Sequence, residues 1–316
     1  MRPFLRPLVL LSAGLSGCAG GPSFQADPAL LVPWTAAGQE RLPAPPYAAR
    51  YVRDGRSLTF VASLHEHRSG CDTFRVVERE FERLDPQVVI LEGFSSADGV
   101  SPAGYSKWVR GQAEGELWPG GEAAFAAKLA LDAGVPFLGG EPSAELVFRE
   151  AQSERIGPED LIYFFVVRQV PQWKRAEEDR DRTFEQLYRE MIRQLAHMHP
   201  IEAEAFQDPK GFLAWYQRRN GRAFVYDEIT TEQSAPLTGE DALFTQRVST
   251  QVGEVRDAHI ASVIADQLNQ HERVLVVYGA GHHLVQEPVL AKLLGPPESW
   301  SRLDDPPDDP PDDPEP

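Results

Sequence analysis

Imidazole and carboxylate side chains recur just past the ends of short, apolar, β-branched runs in this chain. Leu58-Thr59-Phe60-Val61-Ala62 leads into Ser63-Leu64-His65-Glu66-His67, and Val88-Val89-Ile90-Leu91 into Glu92-Gly93. Val135-Pro136-Phe137-Leu138 leads into Gly139-Gly140-Glu141, and Val274-Leu275-Val276-Val277-Tyr278 into Gly279-Ala280-Gly281-His282-His283. These side-chain types hold Zn, Mn or Fe ions. They also serve as general acids and bases when clustering and burial move their pKa values toward working pH. Gly279 and Gly281 let the backbone turn sharply out of a strand and approach a ligand closely. On an extended chain His65 and His67 point the same way, because the side-chain period is two. One residue of slip exchanges His282 for His283, so either member of each pair can be the working residue.

Familiar signatures are absent. His65-Glu66-His67 lacks the four-residue spacing that puts two histidines on one helical face. Gly279-Ala280-Gly281-His282-His283-Leu284 has Leu284 where a dinucleotide fingerprint needs its third glycine, and the chain has neither G-x-S-x-G nor a Walker loop. Cys71, six residues after His65, reads as a small buried filler rather than a nucleophile.

The elements that must position these groups alternate. Phe74, Val77, Phe81 and Leu84 recur at helical spacing before the stop signal Asp85-Pro86. A glycine-rich loop from Gly99 to Gly121 precedes an Ala/Leu helix over Glu122 to Asp132, which Gly134 ends. Strand, helix, strand, helix, strand predicts parallel pairing with right-handed crossovers, and ligands in such sheets bind outside the carboxyl ends of the strands. Residues of about 155–222 carry no convincing strand and read as a helical insertion, with Phe184, Leu187, Tyr188, Met191, Ile192 and Leu195 as one apolar stripe in a helix over Lys174 to His199. The last third resumes with a helix beginning at Val255-Arg256-Asp257, the His282 strand, and a helix over Val289 to Leu294. The expectation is an α/β domain over 48–303, a mostly parallel central sheet with flanking helices and that insertion.

The formal charge of −17 argues against nucleic acid as a partner, since no basic stripe offsets it. Seven of the carboxylates fall in the Pro-rich tail from Asp304, which lacks apolar residues and is expected to be disordered. At the other end, Arg2 and Arg6 precede an apolar stretch from Leu8 to Leu15, far short of the ~20 residues of a membrane span. Leu15-Ser16-Gly17-Cys18 resembles the lipobox of bacterial lipoproteins. That resemblance implies removal of residues 1–17, lipidation of Cys18 as a membrane anchor, and, with Ala19 following, an outer-membrane location. Residues 18–47, rich in Pro, Gly and Ala, read as a tether. With Cys18 lipidated, Cys71 has no disulfide partner.

Phe60 to Phe94, Arg256-Asp257 and Val276-Val277-Tyr278-Gly279-Ala280-Gly281-His282 together resemble the superfamily of TraB/GumN-type proteins, Tiki metalloproteases, erythromycin esterases and ChaN haem-uptake lipoproteins. The group has G-x-x-H motifs after its first and last core strands, an acid after the second strand, and an Arg with Asp or Asn before the last. The resemblance implies His65 and His282 as the paired histidines, Glu92 as the acid, and Arg256 with Asp257 as the supporting pair. Gly279 to His282 matches in full, whereas Ala62 stands where the first motif has glycine. Two functions are expected from it. The first is a metal-assisted hydrolase of peptide or ester bonds in which His65, Glu92 and His282 hold a divalent ion (Mn, Zn or Fe) or activate water, Glu141 is the general base and Arg256 neutralises an oxyanion. The alternative is a lipoprotein that binds haem or another ligand.

Overall fold

A computed structural model of the protein describes residues 23–112, 117–176, 179–198 and 201–303; Cys18 and the acidic tail lie outside them. The chain runs through β1 (Tyr47–Arg53), β2 (Arg56–Ser63), α2 (Asp72–Leu84), β3 (Val88–Ser95), α3 (Ala103–Arg110), α4 (Gly121–Ala133) and β4 (Phe137–Glu141), after a single-turn α1 (Ala36–Gln39). It continues through α5 (Ala144–Ser153), α6 (Pro158–Arg175), α7 (Phe184–Met198), α8 (Pro209–Asn220), α9 (Phe244–Gln270), β5 (Arg273–Gly279), α10 (Ala280–Leu294) and β6 (Ser299–Ser301). The result is an α/β fold around one mixed sheet in the order β4-β3-β5-β2-β1-β6. The first four of these strands are parallel, and β1 and β6 close one edge antiparallel.

The parallel order follows from apolar runs that are buried on both faces. Phe60, Ile90, Val276 and Tyr278 face α9 and α10, while Val61, Val89, Leu91, Leu275 and Val277 face α2 and α4. The helix after β2 stops as expected, with Asp85 left-handed at φ 49° just before Pro86. Gly134 caps α4 in the same way at φ 70°. The β1–β2 hairpin turns on Asp54-Gly55, both at positive φ (52° and 74°), the combination a type I′ turn requires.

A second core is wholly helical, built from α5 to α8 and the first half of α9 around Phe164, Tyr188, Phe212 and Trp215. Buried Asp160 ties α6 to α8, accepting from Trp215 Nε1 at 2.8 Å and from Arg219 Nε and Nη2 at 2.9 and 2.7 Å. The 27 residues of α9 make it about 40 Å long, enough to serve both cores. Val248 and Val252 belong to the helical core and Ile260, Ile264 and Leu268 to the sheet. Arg256 and Asp257 fall at the changeover.

Several expectations need correction. The supposed tether is laid against the domain from Phe24, which is buried and whose backbone N–H donates to Asn269 Oδ1 at 2.8 Å. Ala and Pro in this stretch give local turns rather than freedom; Val32 N–H donates to Val285 O at 3.2 Å. The glycine-rich loop contains α3, whose Val109 is fully buried. Lys174 lies in the last turn of α6, and the amphipathic helix beyond it starts only at Phe184. The helix carrying Arg256 begins eleven residues before Val255, held at its start by Leu243 N–H donating to Gln246 Oε1. The last long helix begins at Ala280 rather than Val289, so His282 sits in its first turn and not at a strand end. Among the described residues no helix is long and apolar enough to cross a membrane.

Candidate active site

The carboxyl ends of β2, β3, β4 and β5 lie side by side, and the expected residues converge there. Each of the two histidines is gripped at Nδ1 by a buried carboxylate. His65 Nδ1 lies 2.7 Å from Glu122 Oε1, which also accepts from Ser63 Oγ at 3.1 Å. His282 Nδ1 lies 2.7 Å from Asp257 Oδ1, which also accepts from Gln286 Nε2 at 2.6 Å. An ionised carboxylate only accepts, so both rings carry their proton on Nδ1 and turn Nε2 the other way. Glu92 stands between them. Its Oε2 accepts from Gly279 N–H at 2.8 Å and its Oε1 from Arg256 Nη2 at 3.1 Å. His282 Nε2 approaches Glu92 Oε1 to 3.6 Å, an ion pair too long for a hydrogen bond.

Charge fixes the protonation states. The bond to Glu122 raises the His65 pKa, against burial. Burial disfavours a charged His282, but Asp257 overrides it and the ring stands at about 9, cationic at neutral pH. Burial also works against ionised Glu92, yet His282 and Arg256 hold it well below the usual carboxylate range.

Glu141, the expected general base, has both carboxylate oxygens engaged. Arg256 Nε and Nη2 donate to its two oxygens at 2.7 Å each, and against the cost of burial this bidentate fork lowers its pKa. It positions the guanidinium. Arg256 is thereby shared between Glu141 and Glu92 with its side chain only 15% exposed.

The neighbouring histidines are now distinguishable. His67 Nδ1 donates to Trp118 O at 3.0 Å, away from the cluster, because the chain leaves the strand after Ser63. His283 is fully buried between the Tyr47 and Tyr51 hydroxyls at 2.8 and 2.9 Å, and burial depresses its pKa to about 3. It is a neutral core residue. Cys71 occupies the N-cap position of α2 without a side-chain capping bond, half-buried, and desolvation raises its thiol pKa.

Gly279 matters for space, not for backbone freedom. Its φ is −55°, open to any residue. A Cβ there would lie 3.1 Å from His65 Nε2 and 3.4 Å from Glu92 Oε2. Gly281 lies in the first turn of α10, where a Cβ would touch the Trp34 ring at 3.4 Å.

The cluster opens into a cavity of about 560 Å³ between the strand ends and the helical core. His65, Glu92, Arg256 and His282 form its floor; Trp34, Leu64, Phe164, Pro236 and Val285 supply apolar walls, and Arg168 enters from α6. Glu122, Arg168 and Trp34 were not anticipated as site residues. Glu122 carries no local signal, since α2, β3 and α3 separate its helix from His65.

For a metal ion, the donor atoms that come within 4.8 Å of one another among the described residues belong to His65, Glu92 and Glu122. One imidazole and two carboxylates suit Zn, Mn or Fe, so the site has a fitting donor set, with Glu122 in the place expected for His282. Comparison with protein-family models, with curated proteins and with solved structures returns no match.

Proposed function

We propose that the protein is a hydrolase of ester or peptide bonds. One observation carries this reading: two imidazoles, each fixed at Nδ1 by its own buried carboxylate, flank Glu92 at the base of one pocket. An imidazole held in this way has a defined tautomer, which leaves Nε2 as the nitrogen that can act on substrate.

The two rings differ in charge, and the difference assigns their roles. His65, neutral above its pKa, takes the proton of an attacking water at Nε2, while Glu122 stabilises the imidazolium that forms. His282, held cationic by Asp257, donates from Nε2 to the carbonyl oxygen as negative charge builds there. Arg256 adds fixed positive charge that needs no reorganisation during reaction, the property that makes such groups effective. His65 then returns its proton to the leaving group. Glu92 keeps Arg256 and His282 aimed at the same point.

A divalent ion held by His65, Glu92 and Glu122 would supply Lewis acidity and a bound water of lowered pKa. Elemental analysis, with a panel of 4-nitrophenyl esters, lactones and fluorogenic peptides assayed before and after chelation, tests both forms of the proposal. Turnover that survives chelation supports the histidine mechanism alone; turnover lost on chelation and restored by one metal supports assistance by that metal. No turnover of any panel member contradicts the hydrolase reading, and a Soret band formed on haem addition would favour the ligand-binding alternative. As part of the same proposal we place the chain with the TraB/GumN and Tiki-like group and at the bacterial outer membrane through Cys18, which mass spectrometry of the mature N-terminus tests.

A further inference from the structure

Opposite the histidines, α6 presents one helical face to the pocket: Phe164, Arg168, Pro171, Gln172 and Arg175. Their spacing of three and four keeps them on one side of the helix. Among the described residues Arg168 makes no hydrogen bond and no ion pair, although Arg218 and Arg219 of the neighbouring α8 each have a carboxylate partner. Arg256 cannot share its own carboxylates, because Glu141 and Glu92 already occupy it. Arg168 stays open to the pocket, where partial desolvation and then the charge of Arg256 disfavour its cation and Glu92 and Glu141 favour it. A guanidinium carried into the pocket against such opposition, with no protein anion in its fork, is set up for an anion that arrives from outside.

We propose that Arg168 anchors a free carboxylate on the substrate, so that the pocket takes an acid with an apolar body whose scissile bond lies near His65 and His282. The inference names the substrate class of the hydrolytic site and rests on that reading. A carboxylate matches the planar fork of arginine with two parallel bonds. A phosphate dianion fits less well, because Glu254 and Asp257 also line the cavity and repel a second negative charge. Trp34, Phe164 and Val285 suit the apolar body, and Arg175, seven residues on and so about 10 Å along the helix, also lines the cavity.

The test is binding, which does not depend on turnover. Calorimetric titration of the full chain with 4-phenylbutanoate and with its neutral isostere 4-phenylbutanamide isolates the charge. A charge-assisted bond of this kind corresponds to a preference for the acid of about 10-fold or more. Arg168→Gln is expected to abolish that preference while leaving amide affinity within about twofold, and Arg168→Lys to keep part of it. Equal affinity for acid and amide, a preference that survives in Arg168→Gln, or no measurable binding of the acid would each overturn the proposal. A protein that prefers the acid yet hydrolyses nothing refutes the hydrolase reading and leaves the anchor standing.

Discussion

Replacing Asp257 with Asn removes the charge that keeps His282 protonated while preserving shape and an oxygen acceptor. The structure sets the size of the effect. His282 rises from an ordinary 6.5 to about 9 in the folded protein, burial opposing and Asp257 winning. A raised pKa stabilises the fold wherever the group is protonated, fully below the unfolded value, and the contribution disappears as pH climbs through the folded one. For these values it is about 3 kcal/mol below pH 6, about 2.5 kcal/mol at pH 7 and close to zero above pH 10. In Asp257→Asn the largest influence favouring the charged ring is gone, leaving burial and Arg256 against Glu92 and Glu141, so the His282 pKa falls. Urea denaturation of both proteins at pH 6, 7, 8.5 and 10 is therefore expected to show a stability gap of about 2–3 kcal/mol at the two lower values, closing at the highest. Histidine NMR titration of the same pair should show one ring moving down from about 9. A gap independent of pH, or a wild-type His282 that titrates near 6.5, would refute the electrostatic reasoning.

Three further outcomes are expected. Hydrolysis should follow a bell-shaped pH profile, rising as His65 deprotonates above its ordinary 6.5 and falling as His282 deprotonates near 9; a flat profile over pH 6–10 would contradict the assigned roles. Arg256→Gln strips Glu141 of its bidentate partner and leaves Glu92 only His282 and Gly279 N–H, and should cost about 3–5 kcal/mol at pH 7. Because both acids titrate below their ordinary 4.5 in the wild type, this deficit should shrink as pH falls below that value, which acid-range denaturation would detect. Gly279→Ala puts a methyl group 3.1 Å from His65 Nε2, so kcat should drop about 10-fold or more with little change in melting temperature, whereas full activity would show that the two elements can move apart.

The four parallel strands were legible because burial on both faces demands continuous β-branched runs, and those runs end where the site begins. Arg256 and Asp257 were legible only through the resemblance, since nothing local marks the point where α9 passes from one core to the other. The β1–β2 hairpin was missed although Asp54-Gly55 carries its signal, because the preceding Pro-rich stretch read as tether. Trp34 was lost for the same reason. Glu122 and Arg168 could not be read from spacing: Glu122 is 57 residues from His65, and both residues sit on helices whose orientation depends on tertiary packing. Glu141 differs again. Its position was right, but only the bidentate bond to Arg256 reveals that its charge is already committed.

The most direct test of the central claim, that two carboxylate-fixed histidines divide the work of hydrolysis, compares His65→Ala and His282→Ala with wild type. The assay is kcat at pH 8 on whichever ester or peptide of the panel is turned over. Loss of a positioned acid or base should cost about 10²–10⁴-fold in each variant, with circular dichroism unchanged. The double variant should fall little further than the worse single one, as groups acting as a unit are not additive. Turnover within a few fold of wild type in either single variant would contradict the account.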